Sequence, residues 1–372
     1  MELNEYNPKS TALIHDSMEY FFKKNKGYNV KSCAKTNILT NNNSTLAFST
    51  AVNLRNGRVL LIPFEEQVMK LFNMADGSVV QRQTKGNRYI GGHHLHHSTA
   101  VFIPADSNKA VLIYDVNTAE EKFGKPCQIN GDMEFKDIFA TSILLPSGEV
   151  LCVNKNFIKS FLYNPFMDKW EGVDFGNDFH MTEMGSGCVT TDGSVLLTNR
   201  RKPEDDSYCL QLYKNKRFSK LPFEVEKDEF IGCVPDKDNV VWLIPFKGTR
   251  LVRLDLKTMT HKEWDLGVQS DLGISMGGCI LPNGNLFISA YGIEHSLEVS
   301  LVNFKATMCP VDVSSGNAFL NGALLMCNGA LLMCNGLVFC PPYYRKTGVV
   351  YGTEVFNASV DLFINQLYNT NK

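Results

Sequence analysis

The sequence predicts an all-β chain: a seven-bladed β-propeller of four-stranded antiparallel blades, with a short N-terminal helix. Three observations predict it. A strand–turn–strand sentence recurs seven times along the 372 residues. One column of that self-alignment holds only small residues. Each copy is followed by a third strand, and then by a turn and a short fourth strand.

The clearest copy runs from Met276 to Ile288, MGGCILPNGNLFI, with Asn283-Gly284 as the hairpin signal. Thr141 to Val153 reads TSILLPSGEVLCV, and Ser186 to Leu197 reads SGCVTTDGSVLL. Further copies are Thr50–Pro63, Phe230–Pro245 and Ala330–Cys340, and Tyr89–Pro104 aligns without gaps to the copy at Phe230. The small column holds Ala51, Gly91, Ser142, Gly187, Gly232, Gly278 and Ala330, at spacings of 40, 51, 45, 45, 46 and 52. Strands converging on a common axis have little room for side chains, so the column is expected to be axial. The runs are rich in Val and Ile, alternate with period two and end in turn dipeptides, which excludes a helical reading. Third strands follow at Lys109–Tyr114, Ile158–Tyr163, Cys209–Tyr213, Thr249–Leu254 and Ser296–Val302.

Seven such units leave residues over at the ends. The expected division is a helix and lead-in over 1–45 and a propeller over 46–372. Ile14, Met18, Phe21 and Phe22 share one helical face within Ser10–Lys24; Ser10 suits the N-cap and Gly27 the stop. The heptad Gly322–Asn328 is repeated at once as Gly329–Asn335. Removing one copy restores the common blade spacing, so the repeat reads as a tandem duplication placed in a bulge, loop or added strand.

The pattern of hairpin, then Tyr163-Asn164-Pro165 or Tyr114-Asp115-Val116-Asn117-Thr118, then Trp170 or Trp264, resembles kelch repeats over roughly residues 47–355. The kelch double glycine is replaced here by Pro63-Phe64, Pro104-Ala105, Pro245-Phe246 or Pro341-Pro342. The Leu-Pro-Asn-Gly-x-Val-like units are also similar to uncharacterised propellers of large DNA viruses, phages and microbes. The kelch resemblance implies a propeller fold; the second implies no defined activity.

Composition narrows the function classes. A net charge of −2 with interspersed signs gives no general attraction to nucleic acid or anionic membrane. No apolar run of about 18 residues predicts membrane insertion. The N-terminus lacks a secretory pattern. The 11 cysteines are an odd number, and Cys188, Cys233 and Cys279 sit in apolar runs. They are expected to be reduced and unbridged, in a cytoplasmic setting. The acceptor-like triplets at Asn43 and Asn357 carry no weight without secretion.

His93-His94-Leu95-His96-His97 holds four of the eight histidines and is expected in the turn between the first two strands of the second blade. His94, His96 and His97 are the candidate metal ligands, for a weak divalent ion bound through neutral imidazoles; a polar turn is the alternative. Asp174, Asp178, His180 and Glu183 could face the channel, whereas Arg200–Asp206 reads as a charged, solvated loop. No zinc-enzyme signature, phosphate loop or Gly-x-Ser-x-Gly elbow is present. The leading expectation is therefore a non-enzymatic scaffold that binds protein partners, without a cofactor. The alternatives are a glycan-binding or virion-associated propeller, and an enzyme with a site at the channel mouth near His93–His97.

Overall fold

A computed structural model describes residues 32–39, 48–54, 58–64, 67–73, 78–86, 88–96, 98–128, 136, 138–154, 159–174, 183–200, 210–223, 225, 229–271, 273–275, 277–281, 283–310, 332–334, 337–340 and 347–352. These residues form seven four-stranded antiparallel sheets. Six are blades of four consecutive strands. Blade one comprises Phe48–Asn53, Arg58–Pro63, Val68–Asn73 and Val79–Gln83. Blades two to six begin with Tyr89–His96, Phe139–Leu144, Glu183–Val189, Glu229–Pro235 and Gly278–Ile280. These first strands pack against one another in sequence, which makes them the innermost strands of the ring.

The expectation of seven blades cut in order after a separate helix is corrected. Six sheets are consecutive; the last is composite. Its strands Leu332–Cys334, Leu337–Cys340 and Thr347–Gly352 are completed at the outer edge by Ser32–Leu39, antiparallel to Thr347–Gly352. The segment expected as a lead-in thus supplies a sheet strand. Pairing segments from opposite ends of the sequence gives this sheet the same four strands as the others, which a short hairpin motif in one segment cannot reveal. The composite sheet joins its neighbours on both sides: Phe339 stacks on Phe72 of blade one at 5.3 Å, and Tyr351 meets Phe287 of blade six at 5.1 Å. Among the described residues the helical element is a 3-10 turn, Lys237–Asn239. Ser10–Lys24 lies outside the described residues, as do Ala330 and all but the end of the heptad repeat, whose Leu332–Cys334 is strand.

The residues that end the second strands share a task. The carbonyls of Phe64, Ala105 and Phe246 accept hydrogen bonds from the N–H groups of Arg88, Ile138 and Ile274, at 2.9, 2.9 and 2.6 Å. Each bond ties the end of one second strand to the entry of the next blade. The tryptophans close gaps between blades further out. Trp170 stacks on Phe139 and donates from Nε1 to the Lys125 carbonyl of blade two at 2.9 Å, and Trp264 stacks on Phe304 of blade six at 3.8 Å.

The inner strands carry a repeated irregularity. The register slips one residue past Phe48, Tyr89, Phe139 and Phe230, and again between Met184 and Gly187. A bulge at one place in five blades bends each inner strand and raises its twist. Thr198 serves the bulge in blade four: its Oγ1 accepts from the Ser186 N–H at 3.0 Å and donates to the carbonyl of Ile231, in the next blade, at 2.7 Å.

The small-residue column changes in register and in meaning. Pairing with the second strand aligns Ala51, Gly92, Ser142, Gly187, Cys233 and Gly278, opposite Leu61, Phe102, Cys152, Leu197, Leu243 and Ile288. Gly91 and Gly232 are therefore one residue out. Two adjacent columns are both small, and only the strand partner distinguishes them. The column also faces the preceding blade rather than the open axis. A Cβ on Gly92 would meet Val52 Cγ2 at 2.7 Å, and one on Gly187 would meet Ile143 Cδ1 at 2.6 Å.

Candidate functional site on the axial strands

The residue after each small one points the other way, because alternate residues of a strand face opposite sides. In the first three gaps it seats in the small position of the next blade. Val52 fills the space at Gly92, and Ile143 fills the space at Gly187. In the intervening gap His93 meets Ser142, with Nε2 and Oγ at 2.8 Å. In the following gap the Cys233 Sγ reaches, at 4.0 Å, the carbonyl of Leu196, the strand partner of Cys188. A small–large dipeptide thus repeats around the axis: Ala51-Val52, Gly92-His93, Ser142-Ile143, Gly187-Cys188 and Cys233-Val234.

Against this apolar series His93–Ser142 is the chemical exception. His93 is 6% exposed and Ser142 is fully buried. Enclosure disfavours the imidazolium and pulls the His93 pKa down to about 4. At neutral pH the ring is therefore uncharged, and its Nε2 either donates to or accepts from the Ser142 hydroxyl according to tautomer. Sequence reasoning missed Ser142 as a site residue and His93 as its partner. The sequence carried no direct signal for the pair: in the small column as read from the sequence, His93 stands two residues past Gly91, and only strand pairing places it directly after Gly92.

The histidine cluster is not a turn, as expected, but mainly strand. His93 and His94 pair with Val101 and Ala100, and the register breaks again between His94 and His96. The reason is that a bulge absorbs Leu95, which is buried, so pairing extends to His96. His94 is half-buried and, by alternation, faces away from Ser142. The side chain of His96 and the whole of His97 lie outside the described residues, so His94 is the one proposed metal ligand whose surroundings are described. Among the described residues no group of three His, Cys, Asp or Glu side chains is placed to hold a metal. Of the other channel candidates, Glu183 pairs with Arg200 at the start of its strand. The side chains of Asp174 and Glu183, together with Asp178, His180 and the loop after Arg200, lie outside the described residues.

No family model and no curated protein matches the chain. Solved structures do. Streptogramin B lyase is 9% identical, with a TM-score of 0.65, covering 87% of this chain and 98% of that one. A catalytically inactive His-to-Ala variant of virginiamycin B lyase from Staphylococcus aureus, solved with quinupristin, is 10% identical with a TM-score of 0.65, covering 87% and 99%. YCF48 bound to D1 peptide is 9% identical with a TM-score of 0.63, covering 89% and 98%. The non-enzymatic scaffold and virion-associated readings are corrected by the first two, since a propeller of this extent carries catalysis in those proteins. The shared property at such identities is the fold. The chain is a divergent β-propeller related in structure to lyase-like and YCF48-like propellers.

Proposed function

We propose that the chain is a propeller enzyme, with its site at the axial end of strand Tyr89–His96 and imidazole side chains moving the protons. The observation that carries this reading is the buried His93–Ser142 pair, the polar member of an otherwise apolar or thiol series. Departures from a repeated packing rule concentrate at functional sites. His93, held neutral and fixed by Ser142, anchors the strand that presents the half-buried His94. A neutral imidazole is the form that can take a proton. The lyase-like neighbours favour elimination. In that reaction a base removes a proton beside a carbonyl, and the bond one carbon further on breaks. The electron pair from the C–H bond becomes a carbon–carbon double bond, and the leaving group departs with a proton. A weak divalent ion at His94, His96 and His97 belongs to the same proposal, and titration of zinc into wild type and a His94→Ala variant tests it separately. The kelch-like resemblance, resting on Tyr163-Asn164 and Trp170, is a proposal about ancestry and adds no activity.

The test is turnover. Purified protein is incubated with quinupristin and with a panel of β-acyloxy carbonyl compounds, and new olefinic protons are followed by NMR. Alkene formation that is lost in His94→Ala supports the reading. Absence of alkene from every compound, or full activity in His94→Ala, overturns it.

A further inference from the structure

The thiol slot points to a second chemistry, independent of the proposed enzyme site. Cys188 and Cys233 lie on the innermost strands of blades four and five. Cys188 pairs with Leu196 within its own blade. The Cys233 Sγ reaches across the gap to the carbonyl of that same Leu196, at 4.0 Å. Both cysteines thus meet at Leu196 from neighbouring blades, and the proximity of Cys233, together with burial, pushes the Cys188 thiol well above its ordinary range. Strand alternation explains the meeting: Cys188 follows the small Gly187 and faces forward, while Cys233 occupies the small column and faces back. Elsewhere that slot holds Val52 against Gly92 or Ile143 against Gly187, so packing does not demand sulfur on both sides. Cys188 is 6% exposed, whereas Cys233 is half-buried and is the accessible partner.

We infer that Cys188 and Cys233 are a peroxide-oxidisable pair that forms a disulfide between the inner strands of blades four and five. The oxidant is a hydroperoxide. The Cys233 sulfur, having given up its proton, attacks a peroxide oxygen; the O–O bond breaks, and with hydrogen peroxide the departing hydroxide takes up that proton as water. Cys233 is then a sulfenic acid. Cys188 attacks this sulfur; the S–S bond forms, the S–O bond breaks, and the second hydroxide leaves as water with the Cys188 proton. Two thiols lose two electrons in all, and one peroxide becomes two waters. The product spans the gap that packing alone closes in the reduced protein.

The full chain is treated with hydrogen peroxide, alkylated under denaturing conditions, digested and mapped by mass spectrometry, with dimedone present in a parallel sample to trap sulfenic acid. The expected result is one cross-linked peptide pair carrying Cys188 and Cys233, reversed by dithiothreitol, with little dimedone on Cys233. In Cys188→Val, whose side chain matches the apolar knobs of other blades, Cys233 should accumulate the dimedone adduct. Cys188→Ala serves as a second variant with a smaller side chain in the slot. Equal dimedone labelling of Cys233 in wild type and variants, or failure of the Cys188–Cys233 pair to form, overturns the inference. None of these readouts depends on catalytic turnover.

Discussion

A single methyl group at Gly278 tests how the inner strands are packed. Gly278 pairs with Ile288 in the first hairpin of blade six. A Cβ there would run into the Phe287 backbone oxygen and would lie 2.7 Å from Ile244 Cδ1 of blade five. Ile244 could rotate, but the carbonyl belongs to the paired strand and moves only if the hairpin moves. Overpacking of this kind costs about 1–3 kcal/mol. Removing a glycine from a strand returns about 0.5–1 kcal/mol, so the net loss in Gly278→Ala is about 1–2 kcal/mol. Gly172, in the outer strand Lys169–Asp174, is the internal control, because its Cβ would meet nothing within 4 Å. Gly172→Ala should therefore gain about 0.5–1 kcal/mol. Urea unfolding followed by tryptophan fluorescence measures both. Equal or greater stability in Gly278→Ala refutes the close packing of blades five and six at this position.

Gln211 is buried, and among the described residues neither of its amide atoms has a partner; its register position holds Leu112, Phe161, Val252 and Leu297 in four other blades and Lys70 in blade one. Gln211→Leu should stabilise the protein by about 1–3 kcal/mol in the same urea assay, and a loss of stability would show that the amide is served by an ordered water. The His93 pair predicts a pH dependence with a defined sign. Its pKa falls from 6.5 to about 4 on folding, so between these values the unfolded chain holds a proton that the folded chain lacks. The contribution is complete above pH 6.5 and is lost as pH falls toward 4; it amounts to about 3 kcal/mol. His93→Val/Ser142→Ala should flatten that slope, and an unchanged slope assigns the acid sensitivity to other groups.

Much of the fold was legible because the hairpin chemistry repeats. Asn283-Gly284 and Ser147-Gly148 mark turns that the structure contains, with Gly284 and Gly148 at φ of 83° and 84°. The closing strand was not legible, because Ser32–Leu39 belongs to a sheet whose other strands lie some 300 residues away, and no local pattern encodes such a partner. The small column was visible but misplaced at Gly91 and Gly232. Each has a small neighbour, and the choice between them is made by hydrogen-bonded pairing. The histidine cluster was visible as composition, yet its function-bearing contact was not. Ser142 lies 49 residues from His93, and what joins them is the seating of one blade's side chain in the next. The same rule brings Cys188 to Cys233, which spacing along the chain could not suggest.

The central claim is that one slot of the axial packing series holds a buried, neutral imidazole. The most direct measurement is an NMR titration of ring-labelled histidine in the intact protein, with His93 assigned by the His93→Val/Ser142→Ala variant. The account predicts that His93 stays neutral as the pH is lowered through 6.5 and takes up a proton only near 4 or on unfolding. A His93 signal that titrates at the ordinary value of 6.5, in a chain that remains folded, would contradict it.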